Sequence, residues 1–121
     1  MFAAGNDLVS FIDEFAPQER ALPGDATGLQ WGDLSREVPV LLLALDFSEA
    51  VLEEALRIGA PLVFSHHPFL YRPLSRIDLN DKGAALVAQS LKEGISLYSA
   101  HTNLDVAPRG VSHALGELLG L

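Results

Sequence analysis

No cysteine occurs among the 121 residues. Disulfide frameworks, zinc ribbons and cysteine nucleophiles are thereby excluded. Long apolar runs are missing too: the longest, residues 38–45, contains Pro39 and is far too short to span a bilayer. Positive charge is scarce. Eight basic residues stand against sixteen acidic ones, for a net charge of −8, and they are scattered from Arg20 to Arg109 without forming a stripe. Such a surface repels phosphate backbones and anionic bilayers, so neither a nucleic-acid nor a membrane partner is expected. The first basic residue is Arg20, so the positive start of a secretory signal is lacking and a cytoplasmic protein is expected. The chain also has no Gly-x-Ser-x-Gly elbow, phosphate loop or dinucleotide fingerprint.

What is present is the length of one domain, residues 1–121, able to bury a core without a structural metal. Hydrophobic residues make up 49%, rich for so small a unit, so some apolar surface is expected to be covered by another chain or domain.

The pattern begins with an amphipathic helix. Asn6 or Asp7 caps it, Leu8, Phe11, Ile12 and Phe15 recur at helical spacing, and Pro17 stops it. Residues 22–28, rich in Gly, Pro and Asp, read as a loop. Three strand-to-helix units follow. Residues 38–45 form an unbroken apolar run, the signature of a strand buried on both faces, and Ser48 caps a helix that Gly59 ends. Residues 61–64 are the second strand, followed by a helix capped by Asn80 or Asp81, with Ala84, Ala85, Val87, Ala88 and Leu91 inside. Residues 95–98 are the third, and Gly110 precedes a last helix carrying Val111, Leu115 and Leu118. Such alternation predicts an α/β fold, a largely parallel sheet with helices against its faces.

Ligands of open α/β sheets sit beyond the carboxyl ends of the strands. Three predicted strand ends release Asp46, then His66 and His67, then His101 and Asp105. Neighbouring side chains in extended backbone point apart, so adjacent imidazoles serve two ions more readily than one. A helical turn from Thr102 to Asp105 would bring His101 and Asp105 to one site. Imidazole and carboxylate without thiolate suit a divalent first-row ion: zinc, manganese or iron(II). A mononuclear site is the simpler alternative. Asp46 reads as structural, satisfying backbone donors at a strand end. His113 reads as a surface residue, Trp31 as packing, and Asp25 as a residue that caps or bends its loop.

Four segments in order, Asp25-Ala-Thr-Gly-Leu-Gln-Trp-Gly32, Leu43-Ala-Leu-Asp46, Ser65-His-His-Pro68 and His101-Thr-Asn-Leu-Asp105, resemble the Nif-three-like (Ngg-one-interacting-factor-three) family. Its members are often described as GTP cyclohydrolase I type 2 homologues. The resemblance implies a three-layer α/β/α domain, a ring-like homo-oligomer and a dinuclear centre of divalent metal ions. It implies His66, His67 and Asp105 as metal ligands, with His101 close by as a weak ligand or an outer-sphere group. The family usually has Asn where Ala26 stands. Its members also continue beyond the equivalent of Leu121 and add a His-x3-Glu pair to the metals. Residues 1–121 are thus expected to be the N-terminal half, in a homo-oligomer or beside a partner chain that supplies the missing half-site. Two functions follow as expectations. One is a metal-dependent hydrolase acting on a nucleotide or another small phosphorylated compound, with His101 as proton carrier. The other is an assembly module whose metal is structural or vestigial.

Overall fold

The computed structural model describes residues 1–121. Helix α1 spans Gly5–Phe15, and its first turn is closed by Asp7, whose carboxylate accepts the Ala4 N–H at 3.1 Å. Asp7 therefore works from inside the helix, and Ala4 occupies the capping position where the sequence suggested Asn6 or Asp7. After a short 3-10 turn over Gln18–Arg20 come strand β1 (Gly28–Trp31), strand β2 (Leu41–Ala44) and helix α2 (Glu49–Ile58). Strand β3 (Leu62–Ser65), helix α3 (Lys82–Lys92) and strand β4 (Ser96–Ser99) follow, then helices α4 (Thr102–Asp105) and α5 (Val111–Leu118). The Ser48 hydroxyl accepts the Val51 N–H, and Asp81 accepts that of Ala84, so both caps fall where side-chain chemistry places them. Gly59, at φ +71°, ends α2 in the left-handed conformation.

The sheet runs β1-β4-β3-β2. Strands β2, β3 and β4 are parallel; β1 joins β4 antiparallel, with Gly28 opposite Ser99 and Leu29 opposite Tyr98. The segment carrying Trp31 is thus an edge strand, an element absent from the reading of the sequence. Alternation divides the strands between two faces. Leu42, Val63 and Leu97 share one face with Trp31 and pack against Leu52 and Ala55 of α2 and Val87 of α3. Trp31, Phe47 and Phe69 meet edge to face with centroids 5.1–5.9 Å apart, and the Trp31 indole donates to the Ile95 carbonyl. The opposite face carries Phe64 stacked on Tyr98, whose hydroxyl donates to Asp13 of α1. Helices therefore lie on both sides of a mostly parallel sheet, which is the three-layer α/β/α arrangement.

Burial departs from the expected stripes in α1, where Phe11 and Phe15 are 72% and 41% exposed, and in three further places. Leu91 is half exposed, and Ser90 is buried in its stead, its hydroxyl donating to the Leu86 carbonyl. Strand β2, apolar enough for a central strand, lies at the sheet edge with Leu43 68% exposed. In α5 no residue is buried, so Val111, Leu115 and Leu118 form an uncovered apolar stripe.

Candidate metal centre

The parallel ladder continues past the strands. The His66 and His67 N–H groups donate to the carbonyls of Ala44 and Leu45, and the Ala100 N–H donates to that of Ser65. These bonds hold the three loops in register just beyond the carboxyl ends of β2, β3 and β4. Beneath them the buried Ser65 and Ser99 hydroxyls meet at 2.8 Å, and Ser65 also donates to the His67 carbonyl. The rim is therefore built on backbone, with the side chains projecting from a fixed frame.

Three imidazoles converge there. His66, His67 and His101 have ring centroids 5.2–5.7 Å apart, and a ring nitrogen of each lies within 4.8 Å of the others. Asp105 Oδ1 is 3.4 Å from His66 Nε2. The helical turn of α4 is formed, with His101 at its N-cap and Asp105 at its end. His66, His67 and His101 thus form the three corners of one cluster, and Asp105 reaches it beside His66.

Each ring is held by the same nitrogen. His66 Nδ1 lies 2.9 Å from the Ala100 carbonyl, His67 Nδ1 2.7 Å from Asp46 and His101 Nδ1 2.9 Å from Asp25. A carbonyl or a carboxylate can only accept, so an Nδ1 bonded to it donates, and in the neutral ring Nε2 then keeps its lone pair. Free Nε2 atoms backed by oxygen acceptors are the usual preparation of histidine for metal ligation. Nitrogens on one ion stand at most about 4.2 Å apart, twice a bond of about 2.1 Å. The observed spread is close to that limit, and a pair of ions about 3.5–4 Å apart also suits it. The donor set therefore fits divalent first-row metal.

The two carboxylates behind the rings differ. Asp46 is 65% exposed and beside it His67 is 46% exposed, whereas the Asp25 side chain is 3% exposed and His101 23%. Burial on its own would raise the Asp25 pKa. Hydrogen bonds from the His101 ring and from the Thr102 hydroxyl and N–H outweigh it and bring the value down to about 2. Asp25 Oδ1 also accepts the Ala26 N–H at 2.8 Å, so it does bend its loop as the sequence suggested. Asp46, read there as a backbone acceptor, is instead the partner of His67, because the parallel register sets the ends of β2 and β3 side by side. His113 faces Glu117 on the exposed surface of α5 and is not one of the converging histidines. The largest cleft, about 620 Å³ between Glu49, Phe69, Lys82 and Leu86, has no histidine in its lining.

Reasoning from the sequence missed Asp25 and Asn103. Asn103 is fully buried; its Oδ1 accepts the His101 N–H and the Thr27 hydroxyl, and its amide donates to the Ala16 carbonyl. An Asx residue two positions after a histidine at a helix start was the one available signal.

Comparison with known proteins places this geometry in context. A model of the Duf34/NIF3 (NGG1p interacting factor 3) family matches residues 3–121. A Listeria monocytogenes protein named GTP cyclohydrolase 1 type 2 homolog is 41% identical over 119 residues, 98% of this chain and 32% of its own length. A Bacillus cereus protein related to NIF3 superposes with a TM-score of 0.93 at 37% identity, over 100% of this chain and 33% of its own. Reduced HcgD from Methanocaldococcus jannaschii does so at 0.87 and 38%, over 98% and 48%. The chain spans about a third of the length of the Listeria and Bacillus relatives.

Proposed function

This chain belongs to the Duf34/NIF3 family, and from that premise we propose that its histidine rim is a divalent-metal centre serving hydrolysis of a nucleotide or another small phosphorylated compound. One observation carries the reading: three imidazoles, each bonded at Nδ1 to an oxygen, bring ring nitrogens within 4.8 Å of one another, with Asp105 3.4 Å from His66 Nε2. His66, His67 and Asp105 are the groups that would hold the metal, two ions being the preferred count. Bound there, divalent ions supply Lewis acidity near neutral pH. His101 holds the proton: its Nε2 accepts one, and the Asp25 carboxylate across the ring stabilises the cation that results. Relatives named GTP cyclohydrolase 1 type 2 homolog support a purine nucleotide as the first substrate to try.

Titration calorimetry with Mn²⁺ and Zn²⁺, run beside a hydrolysis assay on nucleoside triphosphates, tests the proposal. Metal binding with turnover that His66→Ala abolishes is the expected result. A chain that takes up neither ion refutes it.

A second reading rests on the apolar surface. Leu43, Leu115 and Leu118 are 68, 56 and 86% exposed. Together they support an assembling subunit, self-associating or paired with another chain that completes the centre. Light scattering on purified protein that gives the mass of a monomer at every concentration would contradict the self-associating form. No helix here is long and apolar enough to cross a membrane.

A further inference from the structure

Histidine in water exchanges between two neutral tautomers, and only the one protonated at Nδ1 leaves Nε2 free. Of the rim's two imidazole–carboxylate pairs made through Nδ1, one is open to solvent and one is not. Asp46 is 65% exposed, and an exposed pair of this kind is weakened by water and salt. Asp25 is nearly sealed, and every one of its contacts holds it in place. Oδ1 accepts from His101 Nδ1 at 2.9 Å and from the Ala26 N–H at 2.8 Å, while Oδ2 accepts from the Thr102 N–H and hydroxyl. Thr102 in turn accepts the Leu22 N–H, tying the loop that carries Asp25 to the start of α4.

We infer that Asp25 is the positioning residue of the rim: through its part-buried bond to Nδ1 it fixes His101 as the Nδ1–H tautomer and aims Nε2 at His66 and His67. The two oxygens divide the work. Oδ2 ties the loop to α4, whereas Oδ1 acts on the imidazole. Asp46 stands in the same relation to His67 but is solvated, so its hold on tautomer is looser. The use of this arrangement for chemistry rests on the metal-centre reading. The tautomer itself does not, and is measured in metal-free protein.

Long-range proton–nitrogen correlation spectra of chelator-treated protein, labelled with ¹⁵N on histidine, distinguish the tautomers directly. In the wild type, His101 is expected as Nδ1–H, and His67 as a mixture of the two forms. Asp25→Ala should shift the His101 tautomer ratio toward Nε2–H by more than about tenfold, the weight of a part-buried charge-assisted bond. Asp25→Asn, whose side-chain oxygen can still accept, should restore part of it. Thr102→Val removes the hydroxyl contact to Oδ2 and should leave the His101 tautomer unchanged, which a merely structural role for Asp25 would not allow. Should Asp25→Ala fail to fold, the wild-type spectrum still decides, because His101 found as Nε2–H overturns the inference. An equal shift in Asp25→Ala and Thr102→Val overturns it as well. Absence of metal binding in the calorimeter would refute the proposed function while leaving this result standing.

Discussion

The side-chain amide of Asn103, wholly buried, donates to the carbonyl of Ala16 at 2.7 Å across 87 residues of sequence. That bond joins the end of α1 to the α4 turn, and the same side chain accepts the His101 N–H and the Thr27 hydroxyl. Asn103→Ala would strip the His101 N–H and the Ala16 carbonyl of this partner, while the Thr27 hydroxyl keeps the Ser99 carbonyl at 2.9 Å. Each group left unpaired costs about 1–3 kcal/mol, and partial relaxation makes the sum less than additive. A loss of about 2–4 kcal/mol is expected in urea unfolding followed by Trp31 fluorescence. A loss below about 1 kcal/mol would show that the two groups find other partners.

Asp25 sets a limb of the acid unfolding curve. Its carboxyl titrates near 2 in the folded chain against an ordinary value of 3.8. Between those values the unfolded chain binds the proton more readily, so stability falls as pH falls. The contribution is complete above about pH 4 and is lost on descent to about pH 2. Asp25→Asn cannot titrate, and its stability should be flatter across this window than the wild type's. Parallel curves for the two proteins would show that Asp25 is not held as described.

How far the sequence disclosed all this depends on the range of the interaction concerned. Helix caps Ser48 and Asp81, the stop at Gly59 and the three parallel strands are local signals, and all are found where periodicity and capping chemistry put them. The four rim residues were legible because a parallel sheet brings its strand ends to one edge whatever the loops contain. Strand β1 was not legible. Four residues with Gly at the start and Gly32 just past the end give too short an alternation, and the strand exists because β4 offers it an edge. Asp25 and Asp46 were read as local caps or turns since nothing in sequence shows a partner 76 or 21 residues away. The exposed apolar stripe of α5 was legible as a stripe, but a stripe does not say what covers it.

The alkaline limb belongs to Tyr98, which is 1% exposed and donates to Asp13. Burial, with Asp13 adding to it, pushes the phenol well above its usual value near 10. Above pH 10 the unfolded chain therefore releases its tyrosine proton first, and stability falls as pH rises. Tyr98→Phe removes this dependence. It also leaves Asp13 and Gln18 without their shared partner, a loss of about 1 kcal/mol at neutral pH. Guanidinium unfolding at pH 7 and again above pH 10 checks both effects. The expected outcome is a gap between the two proteins that narrows as pH rises.

Two glycines with positive φ separate backbone strain from steric conflict. Gly59, at φ +71°, has nothing within 4 Å of where a Cβ would stand, so Gly59→Ala should cost only the left-handed penalty, about 1 kcal/mol. Gly32, at φ +108°, ends β1 against β4, and there a Cβ would lie 2.6 Å from the Ser96 Cα and closer still to its side chain. The Ser96 backbone cannot retreat without breaking the pairing that holds β1 to the sheet, and its hydroxyl also accepts the Asp33 N–H. Gly32→Ala should therefore cost about 3 kcal/mol or more, strain and overpacking together. Because Trp31 is the adjacent residue and packs against Phe47 and Phe69, the damage should extend to the aromatic cluster beneath the His67 loop. Near-ultraviolet circular dichroism should then lose its Trp31 signal in Gly32→Ala and keep it in Gly59→Ala. Equal spectra with equal stabilities would mean that β1 shifts away from β4 at little cost, and that the edge strand does not hold the cluster.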